Sequence, residues 1–73
     1  MTPDTLLIPI DVQIACVRRE LRQRKSVYPR LVQQGRMPEA KAARELRAMQ
    51  AVLATLMAVL EAQQLELFRE AHS

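Results

Sequence analysis

From Pro38 to Ser73 the chain has no glycine and, beyond Pro38 itself, no proline. The residues that fill this run, chiefly Ala, Leu, Gln, Glu and Arg, lose little rotamer freedom in a helix. The run therefore predicts one long helix over residues 38–71, about 50 Å in length at 1.5 Å per residue. Its seam reads Ala42, Leu46, Met49, Leu53, Leu56, Leu60, Gln63 and Leu67. The spacings alternate between four and three, a heptad pattern that makes Leu46, Met49, Leu53, Leu56 and Leu60 the dimer or core seam. A second set, Ala48, Val52, Thr55, Val59 and Ala62, joins Ala51, Ala54, Met57 and Ala58 to leave the middle of the helix without charge all round. Such a helix expects cover on more than one side.

The first half of the chain supplies one such cover. Pro3 and Pro9 bias residues 1–9 toward an extended lead-in. Ile10, Ile14, Val17 and Leu21 are spaced four, three and four, and Asp11 stands where it can cap free N–H groups. These features predict a first helix over 10–34, with a break near 27–29 because Pro29 lacks an N–H and restricts Tyr28. Gly35 falls where a helix terminates through a left-handed residue, and Pro38 suits the first position of the next helix. Residues 35–37 are then the turn. The fold class is all-α: a single-domain helical hairpin with one long C-terminal helix.

One hairpin arm cannot cover both faces of the long helix. Chains of this length rarely draw enough stability from a private core alone, and they lean on disulfides, metals or association. A lone Cys16 allows no intrachain disulfide, and Cys16 with His72 cannot make a metal site. Association remains, so the expected state is a homodimer, two hairpins in a four-helix arrangement, with a monomer bearing a greasy face as the alternative. The longest uncharged run, Ala48 to Leu60, is thirteen residues and short of a membrane span. With no basic, apolar leader at the start, the expectation is a cytoplasmic, soluble protein that does not engage membrane.

No chemistry-bearing constellation is present. A single glycine rules out a nucleotide-binding glycine loop, and no Ser–His, Cys–His or paired-carboxylate arrangement presents itself. The expectation is a non-enzymatic protein with no cofactor, no metal and no small-molecule substrate. Cys16 reads as a small buried or boundary hydrophobe and Met49 and Met57 as core fillers.

The informative feature is charge. Ten of the eleven basic residues lie between Arg18 and Arg47, opposed only by Glu20, Glu39 and Glu45, for a segment charge of +7, while the remainder carries −4. A hairpin gathers the basic segment at the turn end. Most of these residues are arginine, whose planar fork pairs bidentately with phosphate. Arg22, Arg24, Lys25, Arg30, Arg36, Lys41 and Arg44 are the candidate contacts, with nucleic acid or an acidic protein partner as the target. In the second case the protein is an inhibitor or adaptor, acting through the same end or through the apolar helix face. Tyr28 either closes the bundle end by packing or offers a ring for a base to stack on. A solvated helix surface with no partner is the plain alternative. A ribbon-helix-helix arrangement fits poorly, because no Lys or Arg precedes Arg18 and Pro9 interrupts Leu6-Leu7-Ile8. A helix-turn-helix fits no better, since the long helix continues where a recognition helix should stop.

Glu20-Leu21, Val27-Tyr28-Pro29, Val32, Gly35-Arg36-Met37, Ala42, Glu45 and Met49 together resemble a group of short, uncharacterised proteins encoded by bacteriophages and prophages of Gram-negative bacteria. The likeness covers roughly residues 20–53 and rests on the Val-Tyr-Pro and Gly-Arg-Met elements. It implies a phage or prophage origin and favours an accessory role, such as a helper or inhibitor acting on host or phage nucleic-acid machinery. The chain departs from that pattern at Pro38, where similar proteins carry Ser or Thr.

Overall fold

A computed structural model of the chain describes residues 7–72. Two helices, α1 (Ile10–Gln33) and α2 (Glu39–His72), pack against each other as an antiparallel hairpin. The molecule is a rod of 57 × 26 × 16 Å. The all-α hairpin with its long C-terminal helix is thus the fold.

The start of α1 is built without a side-chain cap at the N-cap position. Pro9 occupies it in extended conformation, and its carbonyl accepts from the Val12 and Gln13 amides. Asp11 Oδ1 accepts from the Val12 amide at 3.0 Å, so the early carboxylate does serve a first-turn N–H. The Gln13 side chain donates to the Ile8 carbonyl at 2.9 Å and ties the entering segment to the helix. Of the extended lead-in expected over residues 1–9, residues 1–6 lie outside the described residues. Leu7 and Ile8 form a turn and a bend, and Pro9 alone is extended.

The expected break near 27–29 is absent, because α1 runs without interruption through Pro29 to Gln33. The ring removes one N–H from the ladder, yet Val27, Tyr28, Leu31 and Val32 are all half-buried on both sides of it. Tyr28 and Val32 lie beside Ala42 and Leu46 of α2, and that packing holds the last turn in line. That turn ends in a Schellman arrangement: the Arg36 amide donates to the Leu31 carbonyl at 2.8 Å and the Gly35 amide to Val32 at 3.0 Å. Gly35 supplies the left-handed residue this requires, at φ 71°. Pro38 is the N-cap of α2 rather than its first residue, its carbonyl accepting from the Ala42 amide at 3.1 Å.

The core is a single stripe. Ile14, Leu21 and Ala42 are the buried apolar residues among those described. Leu46, Met49, Leu53, Leu56 and Leu60 are half-buried, which places them on the α1-facing stripe of α2 and makes them the intramolecular seam. They are less buried than a heptad seam implies, because two helices shield each other from one direction only. Beyond Leu60 the seam loses its cover altogether. Gln63 and Leu67 are exposed, since α1 begins at Ile10, level with residues 60–63, and α2 continues past it as an overhang.

Candidate nucleic-acid interface

Two side-chain links fix which residues share a side of the hairpin. Arg18 Nη2 lies 3.7 Å from Met57 Sδ. On the opposite side, Arg24 Nη1 lies 3.8 Å from Glu45 Oε2 and Arg24 Nε is bonded to Glu20 Oε1 at 2.9 Å. Counting 100° per residue from the shared seam then assigns the exposed and half-buried positions off the seam to one broad face or the other. The Arg18 face carries Arg18, Arg22 and Lys25 of α1, with Arg47 of α2 level with Lys25. The Glu45 face carries Glu20, Gln23, Val27 and Arg30 of α1 and Lys41, Ala48, Val52, Thr55, Val59 and Ala62 of α2.

The seven candidate contacts therefore do not form one patch. Arg22 and Lys25 belong to the Arg18 face, Arg30 and Lys41 to the Glu45 face, Arg44 to the outer edge of that same face at the azimuth of Ala62, and Arg36 to the turn. All six are exposed. Arg24 is different: its side chain is 23% exposed and is occupied within the protein. Besides its two carboxylate partners, its guanidinium lies 5.9 Å from the centroid of the Tyr28 ring, a cation–π contact. Its pKa is raised, chiefly by the hydrogen bond to Glu20, and its charge is fixed at every working pH. Arg24 and Tyr28 thus belong to the hairpin's own scaffold, Arg24 joining α1 to α2 through Glu45.

Arg18 and Arg47 complete the first face and stood outside the seven. The signal that identifies them is the spacing Arg18, Arg22, Lys25, four then three, which keeps three cations on one side of α1. Among the described residues, Arg24 is the one member of the ten-residue basic group in an ion pair. The others form no ion pair among the described residues. Beside the four-cation ridge, toward the turn, an open and mostly apolar groove is lined by Tyr28, Pro29, Val32, Ala42, Ala43 and Leu46, with Gln33 and the acidic Glu39 completing it.

Large apolar side chains also stand exposed along α2. Val52, Val59 and Met57 are 46%, 42% and 44% exposed, and on the overhang Leu65, Leu67 and Phe68 are more so. Phe68 stacks on His72 with centroids 4.1 Å apart. An 18-residue window of α2 has a mean hydropathy of 1.4 with none of it buried. By length and composition α2 could thus cross a membrane, which the thirteen-residue uncharged run by itself did not register. Cys16 is exposed, on the Glu45 side of α1, rather than buried in the seam. No group of three metal-ligating side chains comes together among the described residues. Comparison with protein-family models, with characterised proteins and with solved structures finds no match to this chain.

Proposed function

We propose that the protein is a non-enzymatic binding module whose Arg18, Arg22, Lys25 and Arg47 face holds a nucleic-acid backbone. The observation that carries this reading is the uncompensated ridge itself: four cations on one face drawn from both helices, none of them in an ion pair within the hairpin. A phosphate backbone presents a matching row of negative charge and releases counterions when it is neutralised. Arg36 at the turn and Arg30 beside it extend the positive field, and the groove along Tyr28 gives an unstacked base an apolar surface next to the ridge. An accessory role on nucleic-acid machinery, of the kind the phage-type resemblance implies, is the setting in which such a module works.

The test is fluorescence anisotropy of labelled duplex DNA, single-stranded DNA and RNA across a salt series. Four phosphate contacts give a slope of log K against log salt of about −3.6 on duplex, or about 150-fold weaker binding between ~50 and ~200 mM salt. Arg47→Ala should reduce that slope by about one contact's worth, whereas Arg24→Ala should leave it unchanged. Absence of binding at the lowest salt refutes the reading and leaves an acidic protein surface as the target.

A further inference from the structure

The hairpin exposes 6018 Å². A compact protein of 8.4 kDa exposes about 4,600 Å². Part of the excess of about 1,400 Å² is the rod shape, and part is the bare apolar side of α2. That side is arranged in a particular way. Along the Glu45 face the sequence reads Ala48, Val52, Thr55, Val59, Ala62, which is the same order from either end with Thr55 at its centre. The stripe continues toward the turn into Lys41, with Arg44 at its edge, and toward the C-terminus into Glu66 and Glu70. It is therefore apolar in the middle, positive at one end and negative at the other.

We infer that a second copy of this chain covers this face, docked antiparallel about a two-fold axis at Thr55, so that Arg44 of each copy meets Glu66 of the other. The register follows from the pattern. An axis at Thr55 sets Ala48 against Ala62 of the second copy and brings Val52 within one residue, about 1.5 Å, of the level of Val59, so that small and β-branched residues meet along the stripe. The same operation brings Arg44 level with Glu66, and Lys41 level with Arg69, one residue from Glu70. An isologous interface requires a surface complementary to itself, and an antiparallel pairing of this stripe satisfies that in both packing and charge. A parallel pairing instead places Arg44 against Arg44 and Glu66 against Glu66. The antiparallel arrangement also gives each exposed overhang a neighbour, since the Glu61–His72 segment of one copy lies along the turn end of the other. The inference does not depend on the nucleic-acid reading, because the Arg18 face points away from the axis and stays open.

Charge reversal tests both association and register on the full chain. Arg44 and Glu66 are exposed and 22 residues apart on one helix, about 33 Å, too far to interact within a copy. Neither change touches the α1–α2 seam, so folding is preserved, and circular dichroism checks that it is. Sedimentation equilibrium at low ionic strength should give a mass of two chains for the unaltered protein. Arg44→Glu alone and Glu66→Arg alone should each weaken the dimer about tenfold, since each turns two symmetric attractions into repulsions. The double variant should return to within about threefold of the starting affinity, which requires the two positions to face each other across the interface. A monomer overturns the inference. So does a dimer whose double variant is no tighter than the single ones, which points to a parallel or displaced pairing. Flotation of the folded chain with neutral phosphatidylcholine vesicles, in place of self-association, overturns it too and gives the apolar face of α2 to a lipid surface.

Discussion

Gly35 is the residue on which the chain's reversal rests, and the structure allows the effect of replacing it to be worked out. Its φ of 71° is in the left-handed region, and a Cβ built on it meets nothing within 4 Å. An L-alanine there therefore suffers no collision, and its cost is conformational alone, about 1–2 kcal/mol. Against this stands the smaller backbone freedom of alanine in the unfolded chain, about 0.4–1 kcal/mol in the opposite direction. Gly35→Ala should thus destabilise by about 1 kcal/mol, a fall in Tm of about 6 °C for a chain of this length. A D-alanine, introduced by chemical synthesis, adopts positive φ freely and keeps only the favourable unfolded-state effect, so it should raise Tm by a few degrees. Both are read by thermal melting followed by circular dichroism at one fixed concentration, because association shifts Tm by mass action. Equal melting of the L and D variants would show that the turn does not depend on a left-handed residue and that the Schellman bonds from Arg36 and Gly35 contribute nothing.

The other expectations concern the helices. Pro29→Ala restores a ladder bond in the middle of the last turns of α1 and should stabilise the hairpin by about 1–3 kcal/mol, seen as a higher Tm. Leu21→Ala removes a side chain that is 7% exposed and should cost about 2–3 kcal/mol in denaturant unfolding, while Leu65→Ala on the overhang, at 55% exposure, should stay within about 0.5 kcal/mol in the isolated hairpin. Leu53→Glu puts a carboxylate into the α1–α2 seam and should abolish the helical signal, and a variant that stayed folded would mean the seam runs elsewhere. Arg24→Ala should lower Tm slightly through loss of its bonds to Glu20 and Glu45, with nucleic-acid affinity retained, whereas Arg22→Ala should weaken nucleic-acid binding and leave Tm unchanged.

Much of the fold was legible because it depends on local rules that act within a few residues. The one glycine between two helical patterns marks a left-handed terminus wherever it occurs, and a run free of breakers has no competing conformation. Pro29 shows where such rules stop. The local calculation charges a lost hydrogen bond and a ring clash to the helix, and on that basis a break is the right expectation. Local rules omit Tyr28 and Val32, which come beside Ala42 and Leu46 of α2 only after the chain has reversed. The same omission explains the site. The density of arginine between Arg18 and Arg47 is plain in the sequence, and its gathering toward the turn half follows from any hairpin. Which arginines share a face depends on the relative rotation of two helices, and the links from Arg18 to Met57 and from Arg24 to Glu45 supply it. With that rotation in hand, Arg24 leaves the contact set and Arg18 and Arg47 enter it.

The rotation also separates two kinds of surface that composition alone merges. A two-helix hairpin has one seam and two broad faces, and here the faces differ in chemistry. Cations with no internal partner occupy one, and aliphatic side chains between terminal charges of opposite sign occupy the other. A polyanion has no use for valines, and a second apolar helix has no use for an unpaired ridge of arginine. The two faces therefore call for different partners, which can be bound at once because the seam lies between them. Substitutions at Val52 or Val59 should change assembly and leave the intrinsic contact of each hairpin with phosphate intact, and substitutions at Arg22 or Arg47 should do the opposite. Anisotropy and sedimentation measured on the same four variants decide this: if a valine substitution altered the salt slope as much as an arginine substitution does, one surface would be serving both purposes and the division by face would be wrong.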